Sequence, residues 1–218
     1  MTSPTLMERP VEDLYATPGE PLSFAPEVHV RAFLLRREAG NVLLYNVAGL
    51  ASAAPELERL GGVERHYLNH SHEAMFGSAG IAAPLFVHER DHDEVAPTMH
   101  VRGTFSRRHR PTDDFEVIPT PGHTPGATAY LWDSGVHRFL FTGDSLYLGT
   151  DGWHAGVLSS SDRGAYLESL ALIRDLDFDV LVPWAAPAGA PYVSATSATD
   201  TRARLDEIIE RVRGGATR

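Results

Sequence analysis

Four side chains in this sequence are of types that hold a transition metal, and each follows a stretch that reads as a β-strand. His70 and His72 stand one residue apart in "LNHSHEAMFG". His123 lies between two Pro-Gly pairs in "TPGHTPG", and Asp144 closes the apolar run of "LFTGDS". Imidazole and carboxylate suit zinc, iron or manganese, and a chain with no cysteine can offer only nitrogen and oxygen donors. Three imidazoles and one carboxylate suffice for one divalent ion. If the carboxylate is weak or bridging, a position stays open for water, whose pKa a bound zinc lowers to ~7. Taken singly the signals are weak, since an H-x-H pair is common by chance and a TGD often only turns or caps. The histidine loop is more specific. Gly122 and Gly126 permit unusual backbone conformations and close approach, while Pro121 and Pro125 stiffen the loop. A stiff loop presenting one histidine suits a ligand whose geometry must be set in advance.

The elements that must position these residues are legible in outline. "VHVRAFLLRR" and "VLLYNV", separated by the turn signal "EAGN", read as a hairpin. "APELERLGG" reads as a short helix stopped by Gly61 and Gly62, and "VERHYLNH" as a strand running into His70. "PLFVHE" is a further strand, and "DDFEVIPTPGHTPG" is a strand followed by the histidine loop. "ATAYLWD" and "HRFLFTGD" are two more, split by a turn at Ser134 and Gly135. "SDRGAYLESLALIRDL" has apolar residues at 166, 167, 170 and 173, a helical spacing. "FDVLVP" reads as a buried strand. A last helix places Leu205, Ile208, Ile209 and Val212 on one face. Residues 1–27, rich in proline and polar residues, read as an irregular lead-in. With no break in composition and no linker, residues 1–218 read as one domain.

Composition narrows the function classes. A chain of 218 residues is long enough for one sizeable core. The formal net charge of −10 argues against a non-specific nucleic-acid binder, and "RRHR" (residues 107–110) reads as a solvated loop. The absence of cysteine excludes disulfides, thiolate metal sites and a cysteine nucleophile. No run approaches the ~18 apolar residues of a membrane helix. The start, "MTSPTLMERP", has neither a basic nor an apolar leader region, so a cytoplasmic location is expected. The expected partner is a small-molecule substrate, with a homodimer as the assembly to test.

From about Val28 to Pro183 the chain resembles the metallo-β-lactamase superfamily, the hydrolase group that includes glyoxalase II. The family's H-x-H-x-D-H motif corresponds to "HSHEAM", its PGHTPG loop is matched literally at His123, and its xxGD motif is matched by Asp144. The resemblance implies an α+β fold, a four-layer αββα sandwich with metals at one edge. It implies one metal held by His70, His72 and His123, with Asp144 bridging toward a second. The remaining second-metal ligands are missing: the family's Asp falls on Ala74, its next His on Met75, and a late His on Ala185. All of the first site and only Asp144 of the second survive, which favours one metal over two.

Three functions follow from that reading. The first is a mononuclear metallohydrolase of an ester, thioester, lactone or phosphoester, with zinc expected and iron or manganese as alternatives. The second is a mononuclear iron dioxygenase-like enzyme using His70, His123 and Asp144, a 2-His-1-carboxylate set. The third is a catalytically inactive, ligand-binding member. No general base is evident. Glu73 and His154 are weak candidates, since one residue of helix is about 100° of rotation and would turn Glu73 toward solvent. Met75 is expected to fill the vacated second site. Tyr147, Trp153 and Tyr192 are expected to be ordinary packing residues, with pocket lining as the lesser alternative.

Overall fold

Alternation decides how the strands of the second half are used. In Phe115–Pro119, Thr128–Asp133, Arg138–Gly143 and Val180–Pro183 nearly every residue is buried, as in a sheet covered on both faces. The two faces part cleanly. Phe115, Val117, Tyr130, Trp132, Phe139, Phe141, Val180 and Val182 enter one core, which they share with the first half of the chain. Ile118, Ala129, Leu131, Leu140 and Leu181 enter a second core beneath helices. In this computed structural model residues 7–217 are described, and they form two sheets packed face to face with helices outside.

The first sheet has seven strands, in the order Glu8–Val11, Leu14–Ala16, Phe33–Leu35, Val42–Leu44, Arg65–Tyr67, Leu85–His88 and Val101–Phe105. The last four run parallel, and the first four are antiparallel. The second sheet orders His109–Thr112, Phe115–Pro119, Thr128–Asp133, Arg138–Gly143, Val180–Pro183 and Ser194–Ala195. Helix α1 (Leu50–Arg59) buries Leu50, Ala53 and Leu57 in the first core, and the short α2 (His92–Val95) adds Val95. Helix α3 (Arg163–Arg174) lays Tyr166, Leu170 and Ile173 on the second sheet. Helix α4 (Ala198–Arg213) lays Leu205, Ile208, Ile209 and Val212 there, the face read from the sequence. Each of these large side chains contributes ~1.5–3 kcal/mol on burial. Asp162 caps α3 by accepting from Ala165 N at 3.0 Å, and Ser197 caps α4 by accepting from Asp200 N at 3.1 Å. No helix among the described residues is long and apolar enough to cross a membrane.

Two expectations are corrected. Residues 8–27 are not an irregular lead-in: they hold the short strands Glu8–Val11, Leu14–Ala16 and Glu20–Leu22 and the start of a fourth, Ala25–Val30. Pro10, Pro21 and Pro26 hide them, because proline in a strand is confined to edges and irregular positions; residues 1–6 of that expectation lie outside the described residues. The hairpin is also shorter than its hydrophobic pattern. Only Phe33–Leu35 pairs with Val42–Leu44, whereas Val28–Val30 joins Glu20–Leu22 and Ala185–Pro187 in a separate three-stranded sheet. "RRHR" is a loop only in its first half. His109 and Arg110 begin a strand, and Arg108 and Arg110 both bond Glu116.

Topology gathers the site. Phe115–Pro119 and Arg138–Gly143 flank an antiparallel neighbour and so point the same way, and Val180–Pro183 runs parallel to Arg138–Gly143. The carboxyl ends of all three therefore share one edge of the sandwich. The segment after Arg65–Tyr67 arrives there from the first sheet, since Asn69 bonds the Thr128 and Thr142 carbonyls.

One buried histidine outside that edge sets an acid limit. His66 Nε2 lies 2.9 Å from the Tyr45 carbonyl, which identifies it as the donor, and burial pushes the imidazole pKa down to about 4 despite that bond. The unfolded chain takes up this proton near its ordinary ~6.5, the folded chain not until about 4. Stability should therefore fall as pH drops through that window, by up to about 3 kcal/mol from this group. Urea unfolding at pH 7 and pH 4.5 should show a pH-dependent loss that shrinks in His66→Gln.

Candidate metal centre

The H-x-H segment is built around a buried carboxylate. His70 is extended (φ −155°, ψ 164°) and opens a 3₁₀ helix, Ser71–Phe76, that ends at Gly77 with φ 67°. Glu73, third in that helix, folds back. Its Oε1 accepts from Asn69 N at 2.7 Å and His70 N at 3.2 Å, and its Oε2 accepts from Asn46 N at 2.8 Å. Oε1 also lies 3.2 Å from His70 Nδ1. The expectation that Glu73 points to solvent is thus wrong: its side chain is fully buried. A full α-turn was assumed, whereas the segment is 3₁₀ and Glu73 occupies the capping-box position three residues after the N-cap. There it orients His70 through Nδ1, which is how an outer carboxylate fixes a metal-ligating ring.

The other two loops are shaped by glycines whose missing side chains make room. Gly143 has φ 55°, and a Cβ there would fall 1.8 Å from the Asn69 amide oxygen; its N–H donates to Tyr45 OH at 2.9 Å. That turn delivers Asp144. Gly122, with φ 143°, lies so close to α3 that a Cβ would stand 2.5 Å from Tyr166 Cα. His123 follows it, and its Nδ1 donates to the Gly156 carbonyl at 2.6 Å, leaving the Nε2 lone pair free.

The three imidazoles form a nearly regular triangle with ring centroids 4.9, 5.0 and 5.1 Å apart. Their donor atoms all lie within 4.8 Å of one another, and His72 Nδ1 faces His123 Nε2 at 3.1 Å. Asp144 stands just beside this set: its Oδ2 is 3.5 Å from His70 Nε2 and 3.7 Å from His123 Nε2. Bonds of ~2.0–2.1 Å in a tetrahedron put donor atoms roughly 3.3 Å apart, close to these spacings. His70 Nε2, the nitrogen that faces the other two rings' donors and Asp144, is buried without an aligned hydrogen-bond partner. Unmet buried polar atoms are rare and costly, and a cation at the centre of this donor set would satisfy it.

The electrostatics agree. Burial works to lower the His70 pKa, but Asp144 and Glu73 outweigh it and hold it up at about 10. Burial and the charge on His70 push His123 down to about 4. Burial opposes ionisation of Asp144 too, yet His70, His123 and His72 keep its carboxyl below its usual range. The site thus draws positive charge to its middle.

Asp91, from the turn before α2, joins two of the loops. Its Oδ2 accepts from Ser71 N at 2.8 Å and Thr124 Oγ1 at 2.9 Å, and its Oδ1 accepts from Gly126 N at 2.7 Å. The H-x-H segment and the histidine loop thus share one buried carboxylate. A Cβ on Gly126 would stand 2.5 Å from it.

The remaining candidates are placed elsewhere. His154 bonds Asp151 Oδ1 through Nε2 at 2.7 Å and stacks on Tyr147, within a small hairpin of Tyr147–Leu148 and Trp153–His154. It is not in the mutually close donor set. Trp153 is buried and bonds Ser194, and Tyr192 bonds Glu8 beneath Arg31; both are packing residues. Met75 does not fill a vacated site, being 51% exposed. Ala74 is buried, and Ala185 is buried in a strand paired with Val30. Among the described residues no second donor cluster accompanies the histidine triangle.

The sequence matches the family model described as the metallo-β-lactamase superfamily over residues 51–185. The chain belongs to that superfamily. Solved structures agree on the fold. DIM-1 metallo-β-lactamase exposed to ceftazidime superposes with a TM-score of 0.72 at 14% identity, covering 96% of this chain and 97% of that one. BJP-1, a subclass B3 metallo-β-lactamase of Bradyrhizobium japonicum, gives 0.61 at 14% identity over 98% and 95%. A metallo-β-lactamase family protein from Thermus thermophilus gives 0.63 at 19% identity over 94% and 80%. These likenesses show the αββα sandwich. A search of curated proteins returned no match. Within this family the chain keeps the three-histidine set and carries Ala74, Met75 and Ala185 at the positions named above.

His123→Ala should abolish metal binding and Met75→Ala should leave it nearly intact, read by metal content after dialysis. Asp91→Asn puts an amide N–H₂ group among three donors, so it should weaken metal affinity by ~10–100-fold, read by competition with a chelator.

Proposed function

We propose that the protein is a mononuclear metal-dependent hydrolase of an ester, thioester, lactone or phosphoester. The observation that carries this is the inward convergence of the His70, His72 and His123 donor nitrogens, with Asp144 Oδ2 3.5 and 3.7 Å from two of them. His70 through Nε2, His72 through Nδ1 and His123 through Nε2 hold the ion, and Asp144 completes or flanks the set. Zinc is the ion that best fits three nitrogens, one oxygen and a tetrahedral spacing. When bound, it supplies Lewis acidity and makes water more acidic, with a pKa of ~7.

The chain's own residues do the rest. Glu73 and the Gly156 carbonyl hold the Nδ1 protons of His70 and His123, so both rings present Nε2. Asp144 is a carboxylate at neutral pH, and it is the partly exposed carboxylate beside the donor nitrogens, where it can accept a proton from an attacking water. Glu73 takes no such part, because three backbone N–H groups occupy it away from the opening.

A second reading has an observation of its own. Asp144 reaches His70 and His123, whereas His72 is the most accessible of the three histidines, so a 2-His-1-carboxylate iron site of dioxygenase type uses the same edge. Elemental analysis of freshly purified protein separates the two. One zinc per chain with turnover of generic ester or phosphoester substrates supports the hydrolase, and one iron supports the second reading. Protein that carries no metal and takes up none at neutral pH rules out both. In the hydrolase case Asp144→Asn should lower kcat by ~10²–10⁴-fold.

A further inference from the structure

Trp184 is not a donor, yet it lies against the donor set. It stands between strands Val180–Pro183 and Ala185–Pro187 and is almost fully buried. Its indole meets the His70 imidazole edge to face, with centroids 5.2 Å apart and planes at 78°. Phe76 packs on the same indole at 6.0 Å. The ring is pinned, because Nε1–H donates to the Asn46 carbonyl at 3.1 Å.

Asn46 also grips the segment that carries His70. Its backbone N–H donates to Glu73 Oε2 at 2.8 Å, and its side-chain amide donates to the Glu73 and Gly77 carbonyls at 3.1 and 3.0 Å. One residue therefore holds both the carboxylate facing His70 Nδ1 and the indole packed on the His70 ring. The imidazole cannot turn without displacing one of them. The two rings on that flank, Trp184 and Phe76, offer no metal donor.

We propose that Trp184 is a positioning residue for the metal centre: packed on His70 and tied to Asn46, it locks the His70 ring in the orientation that metal binding needs. The inference rests on the metal-binding reading of the preceding subsection. It assigns to a buried indole the orientation of a ligand ring that it packs against without bonding.

The test is a cobalt(II) titration of the full chain, followed by the cobalt absorption bands and by tryptophan fluorescence. Wild type should saturate at one equivalent and lose part of its fluorescence in step, because a paramagnetic ion at His70 quenches the indole beside it. Trp184→Phe keeps an aromatic edge on His70, so it should still saturate at one equivalent with affinity within a few-fold, and should lose that quench. Trp184→Ala should bind ~10–100-fold more weakly, with altered cobalt bands. The proposal is overturned if Trp184→Ala binds with unchanged affinity and bands, or if the quench survives in Trp184→Phe. The last comparison decides the matter even where the alanine variant fails to fold. Wild type that binds no cobalt at all at neutral pH instead defeats the metal-binding reading itself, a distinct result.

Discussion

The metal edge depends on one buried carboxylate that belongs to none of the metal-binding motifs. Asp91 accepts hydrogen bonds from both of the loops that carry the histidines: from the backbone of Ser71 on one side, and from Thr124 and Gly126 on the other. Imidazoles on separate loops bind a metal well only if their nitrogens are held to a fraction of an ångström before the ion arrives. Asp91 meets that condition for His72 and His123, which flank its partners in sequence. Asn69 does the equivalent for Asp144: its amide bonds the carbonyls of Thr128 and Thr142, and Gly143 must lack a side chain to admit it. The ligands converge because hydrogen bonds one layer out leave their loops no other arrangement.

That layering explains what the sequence could and could not disclose. His70, His72, His123 and Asp144 were legible because each sits in a short motif after a strand. The sandwich was legible through the family resemblance that those motifs carry, and the strands of the second sheet bear it out by splitting their side chains between two cores. Glu73 had a local signal, the capping-box spacing from His70, which was outweighed by the assumption of an ordinary α-turn. Asp91 had none, since its partners are 20, 33 and 35 residues away. Trp184 likewise meets Asn46 across 138 residues. The N-terminal strands were missed for a different reason. Their register is set by pairing with distant segments such as Ala185–Pro187, and not by any alternation of their own.

The same geometry bears on how many ions the site takes. The substitutions at Ala74, Met75 and Ala185 remove donors, but removing donors does not by itself remove space. Here the consequences diverge. Met75 turns outward, Ala74 and Ala185 pack away, and an indole stands against the flank of His70. A loss that had merely left a hole would cost stability in proportion to the void. Burial of Trp184 in the shared core instead makes that flank part of the packing.

Charge balance supplies the reason such a centre favours a cation. Glu73, Asp91 and Asp144 bring three carboxylates to one edge of a chain whose formal charge is already −10. The ion pairs of Glu73 and Asp144 are with imidazoles, and Asp91 is held by two backbone N–H groups and a hydroxyl. No permanently charged guanidinium is in the set, and buried carboxylates without counter-charge are expensive. The raised pKa of His70 is one answer to that deficit, a proton retained at neutral pH. A divalent ion is a better one, because it contributes two charges and also satisfies the nitrogens of His72 and His123, which burial keeps neutral. An ion bound as proposed would displace a proton from His70, so its affinity would rise with pH. An ion that binds the folded chain alone would add its binding free energy to stability.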